Sequence, residues 1–274
     1  MTDSPAIFDF DDNAAWGPRL WEVLCLHLPA DMPQIVKAAE PEYIEDAADI
    51  VLAYADKSVL SAAMTQWLLS QQVRGYHGTR VNAADLASIR SNGLLPLKVH
   101  QRTERLQRAL SQHPRWTEVA DTLPAALERF GPGMHAGRRE GQVHLTVSRS
   151  GLVDGFNHYL KEGSEIDWHV SHHLLGREGQ SLIAADGEAH VVSLLVPGEA
   201  ALASCNRFGM PTDDFPNLVY DVFRVWSYWL GNEQYRAARL KLDCGMIFYD
   251  AVPPAWIVSI EKIDMSQAQI IARG

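Results

Sequence analysis

The residues best suited to chemistry lie in the first third of the chain, in the string Tyr76-His77-Gly78-Thr79-Arg80, followed by Ile89 and Gly93-Leu94. A histidine followed at once by glycine sets a side-chain hydrogen-bonder beside backbone that a flat ligand approaches closely. That pairing suits a nucleotide or dinucleotide pocket better than a packed core. A second histidine, His144, sits in Val143-His144-Leu145-Thr146-Val147, whose alternation reads as a strand. A third string, Gly245-Met246-Ile247-Phe248-Tyr249, runs into Val252-Pro253-Pro254.

Other residues have weaker claims. His169, His172 and His173 are spaced so that two of them share a helix face and face one metal ion, but no HExxH pattern or further ligand accompanies them, and no metal is expected. Cys244 beside Gly245 reads as a small buried hydrophobe rather than a nucleophile. Trp226, Tyr228 and Trp229 read as core packing rather than a stacking platform for bases. Arg102, Arg105 and Arg108 recur at helical spacing, diluted by Glu104, Glu118, Asp121, Glu128 and Glu140. They read first as a solvated face, with a phosphate-binding surface as the alternative. No Walker loop, GxSxG elbow or GxGxxG is present.

Composition narrows the setting. The chain has 274 residues, 47% hydrophobic and 21% charged, with a formal net charge of −10. That is an ordinary globular composition, long enough for a sizeable core. The acidic balance argues against non-specific coating of nucleic acid, although a local basic patch is compatible with it. The three cysteines, Cys25, Cys205 and Cys244, form no CxxC pair, which excludes a disulfide framework and fits a reducing cytoplasm. The acidic start lacks the basic-then-apolar run of a signal peptide. No apolar stretch reaches the ~18 residues needed to span a bilayer, so a cytoplasmic location without membrane association is expected.

The elements that must position these residues follow from periodicity. Residues 1–70 read as a helical N-terminal region, with stripes at Trp16, Leu20, Val23, Leu24 and His27, then at Tyr43 to Tyr54, then a helix capped by Ser58. Gln72 to His77 reads as a strand, and Asn82 to Ser91 as a helix capped by Asn82 and stopped at Asn92-Gly93. Residues 98–140 read as a polar, arginine-rich excursion ending in a loop at Gly131-Pro132-Gly133 and Gly137. Gly151 to Phe156 reads as a helix start and Tyr220 to Leu230 as an amphipathic helix. Strands are expected at Ser181-Leu182-Ile183, His190 to Val196, Met246 to Tyr249 and Ile257 to Ile263.

Taken in order, Tyr76-His77-Gly78-Thr79 with Ile89 and Gly93-Leu94, then Val143-His144-Leu145-Thr146, then Gly245-Met246 before Val252-Pro253-Pro254, the chain resembles the ADP-ribosyltransferase superfamily. It is nearest to the branch that includes the tRNA 2′-phosphotransferases. Gly176-Arg177-Glu178-Gly179-Gln180-Ser181-Leu182-Ile183 is a looser match to the family's G-x-R-x-G segment. Residues 1–70 do not read as the winged-helix lobe of the phosphotransferases.

The resemblance implies an α+β fold: a split antiparallel β-sandwich with a helical N-terminal region and helical insertions. Residues 71–274 form the catalytic domain, with the arginine-rich insertion at about 98–140. It implies NAD⁺ as substrate, with His77 bonding the adenosine-side ribose and Gly78 presenting backbone to the nicotinamide amide. His144 stands where many relatives carry a tyrosine near the nicotinamide. Arg80, Arg149 or Arg177 neutralises the pyrophosphate, and Tyr76, Thr79, Thr146 and Met246 complete the binding set. Met246 occupies the position of the family's third-motif glutamate. Asp250, four residues on and so on the same face of a regular strand, is the acidic candidate; Asp243 points the other way. The catalytic set is therefore His77, His144 and Asp250.

The implied activity is NAD-dependent ADP-ribosyl transfer to a macromolecular acceptor, protein or nucleic acid. A toxin or defence effector with an inhibitor or antitoxin partner fits that activity. The alternatives are an NAD-dependent RNA 2′-phosphotransferase and an inactive nucleotide-binding module of the same fold.

Overall fold

Helical stripes in the first third give way to alternating strand runs at Gln72, and the observed elements follow that change of period. The computed structural model describes residues 5–96, 98–130, 141–205, 217–240 and 245–265. The chain begins with β1 (Ile7–Phe8), α1 (Asn13–Leu24), α2 (Met32–Ala39), α3 (Ile44–Leu52), α4 (Lys57–Leu69) and β2 (Gln72–Val81). It continues through α5 (Ala83–Asn92), α6 (Val99–Leu110), α7 (Trp116–Val119), α8 (Leu123–Phe130) and β3 (Val143–Thr146). Next come α9 (His158–Lys161), α10 (Glu165–Ala185), β4 (Glu188–Pro197) and α11 (Gly198–Ser204). The described chain closes with α12 (Asn217–Gly231), β5 (Gly245–Phe248) and β6 (Ile257–Lys262).

The fold is α+β, mostly helical, with an open sheet of order β5-β3-β2-β4-β6. β2 pairs antiparallel with β3 at Tyr76 and Thr146, and β4 pairs antiparallel with β6 from His190–Lys262 to Leu194–Ile257. β1 joins β2 in parallel. Among the described residues, no helix is long and apolar enough to cross a membrane.

The chain forms two compact units. The first comprises Met1–Tyr76, Thr146–Leu152 and Leu195–Met246. Its core is aromatic: Phe8 lies 5.2 Å from Trp16 and 5.6 Å from Trp67 between ring centroids. Trp226 of α12 is buried and donates its indole N–H to the Gly17 carbonyl at 3.2 Å, so the α12 aromatics pack the core as their spacing predicts. α4 differs from expectation at its start. Asp56, not Ser58, is the cap, its carboxylate accepting the Ser58 and Val59 N–H groups. The helix begins at Lys57, which places Ser58 inside it.

The second unit comprises His77–Leu145, Val153–Leu194 and Ile247–Gly274. α5 starts where its sequence predicts, with the Asn82 side chain accepting N–H groups of Ala84 and Asp85 at 3.0 Å. The described part of residues 98–140 is not a polar excursion. α6, α7 and α8 are helices, and Leu106, Ala109, Leu110, Leu123, Ala126 and Leu127 build one core with Ile166, Val170 and Leu174 of α10. Ser181-Leu182-Ile183, expected as a strand, lies in α10, with Ile183 buried in that same core. A three-residue apolar run fits either period, and tertiary burial decides it. α10 is interrupted at Gly176, whose φ of 64° and ψ of −146° break the helical path. The sequence features at Gly131-Pro132-Gly133, Gly137, Glu140, Asp243 and Cys244 lie outside the described residues.

Candidate functional site

The second unit holds a cavity of about 450 Å³ whose wall includes His77, Gly78, Thr79 and Arg80 of β2. Ile89 of α5 and Gly93-Leu94 after it form another part, and Val143-His144 of β3 a third. The first and second sequence strings therefore meet on one surface. The third reaches it through backbone: Leu94 and Val252 exchange both N–H···O bonds, at 3.1 and 2.9 Å. Gly93 makes that approach possible. Its φ is +78°, and a Cβ there would lie 1.9 Å from the Val252 carbonyl oxygen.

The two histidines are joined directly. Nδ1 of His77 lies 2.8 Å from the carbonyl oxygen of His144. A carbonyl only accepts, so Nδ1 carries the proton and donates, leaving Nε2 of the neutral ring as an acceptor. Burial pushes the His77 pKa below its ordinary value, against the smaller opposing effect of the His144 carbonyl. The ring is thus neutral at physiological pH, with one lone pair suited to a ligand hydroxyl. Nε2 of His144 lies 2.9 Å from Oε1 of Gln142, also on the cavity wall.

Arginines supply the positive side. Arg80 donates to the carbonyls of Leu160 at 3.0 Å and Gly187 at 2.6 Å. Burial, then the neighbouring Arg105 guanidinium, lower its pKa. Arg80 therefore braces β2 against the chain around α9 and β4 while lining the cavity. Arg102, Arg105 and Arg108 of α6 line it as well; Arg102 and Arg105 are mostly buried, which corrects their reading as a solvated face, while Arg108 is 46% exposed. Arg102 is only 4% exposed. Its Nη1 bonds Ser164 Oγ at 2.9 Å and the fully buried Asp167 carboxylate at 2.7 Å. Arg105 lies 3.7 Å from the other Asp167 oxygen and 3.7 Å from Asp186, which also pairs with Arg108 at 2.9 Å. The row is anchored because a buried guanidinium needs a carboxylate partner.

The remaining expected site residues lie elsewhere. Tyr76 is buried in the first unit with its hydroxyl donating to Asp9 at 3.0 Å. Thr146 and Met246 are buried in the first unit, and Arg149 belongs to that unit too. Arg177 is exposed on α10. Asp250 is exposed in the bend after β5; the strand ends at Phe248, so the pleat that was to align Asp250 with Met246 does not extend that far. His169 and His173 flank the Phe130 ring, with centroids at 5.9 and 5.5 Å. Among the described residues, no group of three or more His, Cys, Asp or Glu is arranged to hold a metal ion.

Tyr159, Ser164 and Glu165 line the cavity without having been singled out from the sequence, and Arg102 and Arg105 were singled out only in the alternative of a phosphate-binding surface. For the arginines the spacing of three was the available signal. For Glu165 it was the helix start Ser164-Glu165-Ile166-Asp167. The chain matches no family model, no curated protein and no solved structure.

Proposed function

We propose that this chain is an NAD-dependent ADP-ribosyltransferase of an ADP-ribosyltransferase-like fold, acting on a macromolecular acceptor. One observation carries the reading. His77-Gly78-Thr79-Arg80, Ile89, Gly93-Leu94 and His144, scattered over the sequence, line a single cavity, with Val252 bonded to its wall. The volume falls in the range of small-molecule sites. The chemistry of its donors and acceptors fits a dinucleotide. Nε2 of His77 accepts from a ribose hydroxyl, the β2 backbone at Gly78 lies beside a flat amide, and the arginine wall faces the pyrophosphate. Breaking the nicotinamide–ribose bond develops positive charge on the sugar, so catalysis needs the substrate held in place and that charge opposed.

A second reading, NAD-dependent RNA 2′-phosphotransferase, draws on Arg108, a half-exposed guanidinium of the cavity wall outside the first motif and of a kind suited to phosphate. Incubation with NAD⁺ and either cell lysate or a 2′-phosphorylated oligonucleotide separates the two. A ribosylated macromolecule with free nicotinamide supports transfer; loss of the 2′-phosphate overturns it in favour of the second reading.

A further inference from the structure

Resting on the NAD⁺ reading above, we infer that Gln142 is a positioning residue, which fixes the tautomer and the orientation of the His144 ring in the cavity. Gln142 stands immediately before β3 and two residues ahead of His144, so an extended chain turns both side chains to the same side. Val143 and Leu145, which alternate with them, are buried at 3% and 2% exposure. Gln142 and His144 are half-buried and line the cavity. This stretch therefore gives one side to the core and the other to a ligand.

The link between the two side chains is a hydrogen bond with a defined direction. Oε1 of Gln142 lies 2.9 Å from Nε2 of His144. An amide oxygen has no proton to give, so Nε2 carries the proton and donates it. The amide is also uncharged, so unlike a carboxylate it does not favour a second proton on the ring. His144 is held through its backbone as well, where its carbonyl oxygen accepts from Nδ1 of His77 at 2.8 Å. The two histidines thus carry their protons on opposite nitrogens, and a specific partner selects each one.

An imidazole turns about χ2 in a broad, roughly two-fold well, and the Gln142 bond selects one of its orientations. A ring set before the ligand arrives spares the reorganisation that a turning ring costs during the reaction. Gln142 acts through His144 and takes no part in bond breaking.

The test pairs Gln142→Met, which keeps the length of the side chain and removes the acceptor, with Gln142→Glu, which keeps the acceptor and adds charge. Nitrogen-15 NMR of the imidazole rings reads the His144 tautomer without any ligand, and nicotinamide release from NAD⁺ reads the rate. The wild type should show His144 protonated on Nε2. Gln142→Met should show a mixture of the two neutral tautomers, with kcat lower by about tenfold. Gln142→Glu should keep more of the rate than Gln142→Met and move the His144 titration to higher pH, a shift that packing alone does not produce. A titration unmoved by Gln142→Glu, or wild-type kcat in Gln142→Met, overturns the inference and leaves the NAD⁺ reading standing. Wild-type protein that neither binds NAD⁺ nor releases nicotinamide overturns that reading, and the tautomer in Gln142→Met then decides the Gln142–His144 link by itself.

Discussion

Substituting Gly93 by alanine is expected to damage both the stability of the second unit and its cavity. Gly93 has φ +78° and ψ −161°, a region that is strained for any residue with a Cβ, by about 1–3 kcal/mol. The new methyl would also stand 1.9 Å from the Val252 carbonyl oxygen and 2.9 Å from the Pro254 nitrogen. Relieving that overlap means separating residue 94 from Val252, where two backbone hydrogen bonds are at stake, each worth about 0.5–1.5 kcal/mol. The combined loss is about 2–6 kcal/mol. Denaturant unfolding followed by circular dichroism reads the stability, and calorimetry reads NAD⁺ affinity, which should fall because Leu94 moves with the bridge. Gly141→Ala separates strain from collision: its φ is +72°, but a Cβ there meets nothing within 4 Å. A Gly93→Ala protein no less stable than Gly141→Ala, with unchanged NAD⁺ affinity, would refute the role of the bridge.

Other consequences are independent of Gly93. Asp167→Ala leaves Arg102 buried without its carboxylate and should cost about 3–5 kcal/mol, read as a lower denaturation midpoint; a loss below about 1 kcal/mol would contradict a buried pair. His77→Ala should abolish most NAD⁺-dependent activity while stability stays within about 1–2 kcal/mol of wild type, and a collapsed fold would assign His77 to the core instead. His77 also gives a pH dependence. Its folded pKa lies below the ordinary histidine value of 6.5, so the unfolded chain binds the proton first. Its contribution to stability is complete above about pH 6.5 and is lost as pH falls toward the folded pKa. Asp9, whose folded pKa is raised above 3.8 mainly by burial, acts in the opposite direction as pH rises from that value. Comparing wild type with His77→Gln across pH 4–8 isolates the histidine, and parallel curves would contradict its depressed pKa.

Local rules reached some of the site and not the rest. The Asn82 cap, the Gly93 stop and the strand around His144 rest on residue chemistry within a few positions, and all are present in the fold. The Arg102–Asp167 pair spans 65 positions, and no local pattern announces which carboxylate a buried arginine will find. The insertion's helices looked polar because their apolar positions are few, although Leu106, Ala109 and Leu110 suffice once α8 and α10 cover them. Asp250 was placed by extending a strand past Phe248, and a strand end is set by the pairing partner rather than by alternation.

The central claim is that the cavity around His77 and His144 binds NAD⁺ and breaks its nicotinamide–ribose bond. Mass spectrometry of NAD⁺ incubated with the wild-type protein and cell lysate tests it most directly, with His77→Ala alongside. The account predicts free nicotinamide and an ADP-ribosylated macromolecule from the wild type, and neither from the variant. Intact NAD⁺ with no bound dinucleotide in the wild-type sample would contradict it.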